Sequence, residues 1–226
     1  MNESYDKKLH DSVCSFKNWA QINYPEWDEE TDNGEWEIGS FEFQEMYSII
    51  LKIIEDTSPH DATGQMIDDI LFGIARDNEC SRIVNVLLDY PEWYSVLCRQ
   101  CLETNYINAK WQFAENLKDY TGNDGLQEII FKFLDTGDEY TERLALMSLA
   151  HIYPDESEKY VVDFWERNKF ENDEYQKIMV LHVLYTIQSS QLEHYLNVAA
   201  HSKYHWLKEN AKEIRRKMSK GCNSIL

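Results

Sequence analysis

Apolar residues recur along this chain with the 3.6-residue period of an α-helix. Phe43, Met46, Tyr47, Ile50, Leu51 and Ile54 follow i, i+3, i+4, i+7 spacing. So do Ile67, Ile70, Leu71 and Ile74; then Tyr94, Leu97, Cys98, Cys101 and Leu102; then Leu126, Ile129, Ile130, Phe133 and Leu134. Each set is the buried stripe of one amphipathic helix. Strand-like alternation is absent at any useful length. The pattern predicts an all-α chain.

The breaks between these stripes are regular. The four prolines are Pro25, Pro59, Pro91 and Pro154, spaced 34, 32 and 63 residues apart. The long gap is nearly two short ones, and Thr121-Gly122-Asn123-Asp124-Gly125 supplies a turn signal near its middle. Gln188-Ser189-Ser190-Gln191 marks a further break. Tyr-Pro-Glu-Trp occurs twice, at 24–27 and 90–93, and Tyr153-Pro154-Asp155-Glu156 is a third Tyr-Pro followed by acids. Proline followed by carboxylates suits a first helical turn, where a missing N–H costs nothing and the dipole end is positive. Each interval of about 33 residues holds two helices of roughly 10–17 residues, a helix hairpin. Asp138-Glu139-Tyr140 and Asp173-Glu174-Tyr175 open two such helices, and at that offset Leu146/Leu181, Leu149/Leu184 and Ile152/Ile187 also match. A shared frame adds Lys110/Glu142/Lys177, Phe113/Ala145/Val180, Leu117 and Tyr120.

Over roughly residues 40–220 this pattern resembles the HEAT-like α-helical repeat proteins. Asp138 with Arg143, and Asp173 with Lys177, loosely match that family's turn Asp and second-helix base. The resemblance implies an α-solenoid of about six helix hairpins with 10–13 helices, in one domain over 1–226. Residues 1–39 would be an N-terminal helix and an acidic, Trp-rich loop. Residues 40–202 would be the repeats, and 203–226 a basic capping helix. Most such proteins are interaction scaffolds with a concave binding face.

Charge narrows the partners. The chain has 226 residues, with Lys+Arg 22 against Asp+Glu 41, a formal net charge of −19. Nucleic-acid backbones and anionic membranes would be repelled. That contradicts the DNA-repair relatives of the HEAT fold, which need a basic concave face. The charge is also uneven. Residues 203–226 carry seven bases and two acids, leaving −24 on the remainder. Residues 18–51 hold no Lys or Arg, nine acids, and Trp19, Tyr24, Trp27, Trp36, Phe41, Phe43 and Tyr47. Carboxylates steer a basic partner and tryptophans anchor it. The candidate binding residues are therefore Glu26, Trp27, Asp28, Glu29, Glu30, Asp32, Trp36 and Glu37.

Catalytic and metal signals are sparse. Cys98-Arg99-Gln100-Cys101 is a single C-x-x-C on an apolar helical stripe, without the second pair a structural zinc needs. His201, His205 and Glu209 share helical spacing but lack the H-E-x-x-H order, and the helix could break at Ser202-Lys203. Asp68 and Asp69 are adjacent and diverge by about 100° on a helix. No nucleophile elbow, dinucleotide fingerprint or P-loop is present. The expectation is no enzyme activity, no cofactor and no metal. Five cysteines without a visible secretory signal point to a reduced, cytoplasmic setting, and no stretch spans a membrane. A small, acidic, HEAT-like chain is similar to immunity proteins of bacterial polymorphic toxin systems. That resemblance implies a protein partner, a basic, nuclease-like toxin domain, neutralised by direct binding. The alternative is a generic HEAT-like adaptor, and behind it a repair-type enzyme.

Overall fold

A computed structural model describes residues 2–28 and 39–222. The described residues form twelve α-helices and no strand. The chain divides into two compact units, Met1–Ile129 and Ile130–Leu226.

The first unit contains α1 (Asn2–Asn23), α2 (Phe41–Asp56), α3 (Gly64–Arg76), α4 (Arg82–Leu87), α5 (Pro91–Cys101) and α6 (Ile107–Asn116). Helix α1 packs on α2 and α3, and α3 continues onto α5 and α6. Ser40 Oγ accepts the Phe43 N–H at 3.1 Å, and Thr63 Oγ1 accepts the Met66 N–H at 3.1 Å. These side chains cap α2 and α3 and fix where each begins. The core is aromatic at its centre, where Phe16 meets Phe43 and Phe72 edge-on with ring centroids 6.3 and 5.8 Å apart. Gly73 permits the α2–α3 contact, because a Cβ there would stand 2.3 Å from Ile50 Cδ1. The buried stripe of α2 runs Phe43, Met46, Ile50, Ile53 and Ile54, with Leu51 only half-buried.

A buried carboxylate makes the α3–α4 joint. Asp77 is fully buried; one oxygen accepts the Ile83 N–H at 2.7 Å and the other the Arg82 Nε–H at 3.3 Å. Arg82 lies over the Tyr47 ring, 4.3 Å from its centroid. Burial pushes the Asp77 carboxyl up from the ordinary carboxylate value, against the opposing pull of Ile83 N–H and Arg82.

The second unit contains α7 (Ile130–Phe133), α8 (Glu139–Ile152), α9 (Pro154–Glu166), α10 (Glu174–Thr186), α11 (Leu192–Ala200) and α12 (His205–Cys222). Helix α8 packs on α9 and α10, while α10 packs on α9, α11 and α12. Of the residues matched at a 35-residue offset, Ala145, Leu146, Leu149, Val180, Leu181 and Leu184 are fully buried, while Ile152 and Ile187, at the ends of their helices, are only half-buried. Asp138 Oδ2 caps α8 through the Thr141 N–H at 2.8 Å. Glu174 Oε1 reaches across to the Leu207 N–H at 3.0 Å and caps α12.

The structure departs from the sequence pattern at three places. Pro91 and Pro154 open α5 and α9, and Pro59 opens a 3-10 turn, but Pro25 lies in the turn after α1. The stripe Leu126–Leu134 is not one helix. Residues Leu126–Ile129 form a 3-10 turn after Gly125, whose φ of +71° suits glycine, and α7 is only four residues long. Finally, His201 and His205 lie on different elements. His201 ends α11 and His205 starts α12.

Glu142 sits at the frame position that Lys110 and Lys177 occupy elsewhere, and it is fully buried. Its Oε1 accepts from the Gly137 N–H at 2.8 Å and from Lys169 Nζ at 2.8 Å, and its Oε2 forms an ion pair with Arg167 Nη2 at 2.9 Å. Arg167 lies over the Phe164 ring and donates its Nε–H to Gln176 Oε1 at 2.8 Å. Without Glu142, the largely buried Arg167 keeps only Asp163, at 3.9 Å, and Lys169 keeps only the exposed Asp135. Glu142→Ala is expected to lower stability by about 3–5 kcal/mol, read as the shift of a urea unfolding curve.

Asp77 gives a pH-dependent outcome. A raised folded-state value means that the folded chain holds the Asp77 proton when the unfolded chain has lost it. Stability from this group is therefore present below the unfolded value and falls as pH rises through the folded value. The destabilisation caused by Asp77→Asn should be larger near pH 4 than near pH 7, checked by unfolding both proteins across that range.

Candidate protein-binding site

The second Tyr-Pro-Glu-Trp builds a cleft in the first unit. Helix α2 ends at Asp56, and Thr57 closes it by returning its N–H and Oγ1–H to the Ile53 carbonyl at 3.0 and 2.7 Å. The chain then turns through Ser58 and the 3-10 turn Pro59–Asp61. At the other wall Pro91 starts α5. Trp93 is 2% exposed and donates its indole N–H to the Thr57 carbonyl at 3.0 Å. That bond ties the start of α5 to the end of α2. Between them lies a cleft of about 460 Å³. Ile54, Pro59, Tyr90, Pro91 and Trp93 give it apolar surface, and Glu55, Asp56, Asp89 and Glu92 give it charge.

Only one of these four carboxylates is engaged. Asp56 accepts the Tyr5 hydroxyl at 2.5 Å and pairs with Lys52 at 3.3 Å. The Tyr5 hydrogen bond, then that from Lys52, holds the Asp56 carboxyl below its usual value. Glu55, Asp89 and Glu92 make no ion pair among the described residues. The cleft is thus apolar in its walls and anionic at its rim. It suits a long cationic side chain, whose methylenes can lie on Tyr90 and Pro91 while its head meets carboxylates.

The first Tyr-Pro-Glu-Trp has a different setting. Tyr24 packs edge-on against Trp19 with centroids 5.7 Å apart, and the Trp27 N–H donates to the Tyr24 carbonyl at 2.9 Å. Trp27 is buried at 7% exposure, with Glu26 and Asp28 exposed on either side of it. Ile22 and Phe41, close in sequence to either end of this stretch, are 78% and 75% exposed. Glu29, Glu30, Asp32, Trp36 and Glu37 lie outside the described residues.

The other marked groups resolve as follows. Cys98 and Cys101 are fully buried, and burial pushes both thiols well up. Asp68 and Asp69 diverge, one exposed and one buried. Among the described residues, no three His, Cys, Asp or Glu side chains are grouped to hold a metal. Nor is any described helix long and apolar enough to cross a membrane. The basic helix α12 buries Leu207, Ala211 and Ile214, and much of its charge is paired: Lys212 with Glu209 at 2.7 Å, Lys217 with Glu213 at 3.0 Å, Arg215 with Glu193 at 2.8 Å.

Sequence reasoning placed the acidic surface at 26–37 and missed the cleft. The doubled tetrapeptide was the available signal, because its second copy supplies the wall. The carboxylates Glu55 and Asp56 were hidden, since they are remote in sequence and only the Trp93–Thr57 bond brings them alongside. The chain matches no known protein family, no curated protein and no solved structure.

Trp93→Phe keeps an aromatic side chain but removes the N–H together with the indole's five-membered ring, leaving the Thr57 carbonyl without that donor. It should cost about 1–2 kcal/mol in chemical unfolding. An unchanged midpoint would mean that the indole bond does not fix this joint.

Proposed function

We propose that this protein binds a basic protein partner, in the manner of an immunity protein that neutralises a toxin domain. The observation that carries the reading is the cleft rim, where Glu55, Asp89 and Glu92 make no ion pair beside the accessible Tyr90 and Pro91. Exposed like charges repel one another and add no stability, and a cationic partner removes that repulsion. They also raise the association rate, while apolar contacts slow release.

The exposed Glu26 and Asp28, with Ile22 and Phe41 close by in sequence, belong to a second proposed patch with Glu29, Glu30, Asp32, Trp36 and Glu37, at the end of α1 and the start of α2, whereas the cleft lies by the start of α1 and the end of α2. Trp27 supports that segment from within. The scaffold is a HEAT-like solenoid in this reading. Its support is the two-layer packing of the second unit, with α8, α10 and α12 in contact along one layer. Trp165 of α9 meets Tyr195 of α11 in the other, with centroids 4.9 Å apart. The free thiols Cys14, Cys80, Cys98 and Cys101 suit a reducing, cytoplasmic setting.

Affinity capture from the source cell, read by mass spectrometry, supplies the partner. The captured protein should be basic, should arrest growth when expressed alone, and should be relieved by co-expression of this chain. The Glu55→Lys/Asp89→Lys/Glu92→Lys variant should weaken capture by at least tenfold with its unfolding curve little changed. So should Asp28→Asn/Glu29→Gln/Glu30→Gln/Asp32→Asn if the acidic segment contributes. An acidic or harmless partner would overturn the toxin reading and leave an adaptor. Full capture by both variants would remove the acidic surface from the interface.

A further inference from the structure

His10 and Cys14 stand one turn apart on α1, and Asp69 reaches them from α3. Cys14 Sγ is 3.7 Å from His10 Nε2. His10 Nδ1 is 3.1 Å from Asp69 Oδ2. The Asp69 side chain is 3% exposed, and its other oxygen accepts the Gln65 Nε2–H at 3.0 Å. Cys14 is exposed and the His10 side chain is 49% exposed, so a solute can reach the thiol. A nucleophile, a base within reach of its proton, and a buried carboxylate that orients the base form a three-group relay.

We propose that Cys14 is a reactive thiol served by His10 as general base and Asp69 as positioning residue, and that its substrates are low-molecular-weight disulfides. The substrate class follows from the surroundings. Acyl transfer needs N–H donors for an oxyanion. Here the nucleophile lies within a 22-residue helix, where N–H groups donate to carbonyls one turn back. Attack at a disulfide sulfur has no oxyanion to stabilise. Buried Asp69 accepts the His10 Nδ1–H and so leaves Nε2 free to take a proton from Cys14.

The step balances without a further reagent. The Cys14 thiol passes its proton to His10 Nε2 as the sulfur pair bonds to one sulfur of the disulfide. The old S–S bond breaks, and the departing thiolate carries off the electrons of that bond and takes the proton from His10. Cys14 is oxidised to a mixed disulfide, and half of the small disulfide is reduced to a thiol.

Glutathione disulfide is the probe, with each cysteine followed separately by peptide mass spectrometry. Cys80, which is exposed and outside any such group, is the internal reference. Cys98 and Cys101, fully buried, react only if the fold opens. The proposal expects Cys14 to form the mixed disulfide about tenfold faster than Cys80. His10→Ala should bring the two rates together, and free imidazole should restore part of the difference. Asp69→Asn should lower the Cys14 rate while Cys98 and Cys101 stay unreacted, a pattern that general loosening of the fold does not produce. Equal rates at Cys14 and Cys80 in the wild-type chain, or an unchanged Cys14 rate in His10→Ala, would overturn it.

Discussion

An α-helix leaves its first four N–H groups and last four carbonyls without partners inside the helix. The twelve helices of the described residues pack through their ends as well as their faces, so these groups are drawn out of water where they must find donors and acceptors. The joints are built from buried polar side chains that meet this need. Asp77 receives the Ile83 N–H, Trp93 serves the Thr57 carbonyl, Glu174 caps α12, and Gln112 Nε2 bridges the Ile74 and Asn108 carbonyls at 2.8 Å each. Each bond fixes the angle at which one helix leaves another. An apolar side chain could fill the same volume but would leave the backbone group stranded.

The same requirement shapes the cleft. Thr57 is the end of α2, and its carbonyl needs a donor. Trp93 supplies one from the start of α5 while burying a large ring. The consequence is that two acidic helix ends, 55–56 and 89–92, are held side by side. A structural bond between a carbonyl and an indole thereby gathers carboxylates that local stability alone would keep apart.

Helix content was legible because the apolar period persists wherever a helix has one buried face. The frame shared by Leu149 and Leu184 marked core positions correctly for that reason. The period failed where burial is not one-sided. Residues 126–134 are apolar at helical spacing, yet the turn at Gly125 leaves them a 3-10 turn and a four-residue helix. In α3 every residue from Asp69 to Arg76 is buried, so periodicity there says little about which residue faces which neighbour. The role of Glu142 was illegible too. Its frame position reads as a surface charge, and only the loop carrying Arg167 and Lys169 turns it into a buried one. The His10–Cys14 spacing was visible as i, i+4, but Asp69 is 59 residues away and no local pattern joins it to them.

The surplus of acid is informative because three buried carboxylates are each given partners. Buried Glu142 holds two cations, buried Asp77 holds a cation and an N–H, and Asp69 holds an imidazole and an amide. These three buried carboxylates have partners, while buried Asp173 keeps its Oδ1 without a hydrogen bond. Of the four carboxylates at the cleft, only Asp56 has an ion pair, although the chain carries 22 bases and places two of them on α12 paired with acids of that same helix. Surface repulsion of this kind weakens the compact state slightly and is readily removed by a few lysines. A rim kept anionic against an apolar wall therefore fits a surface whose countercharges arrive from outside, which is the arrangement that the proposed basic partner completes.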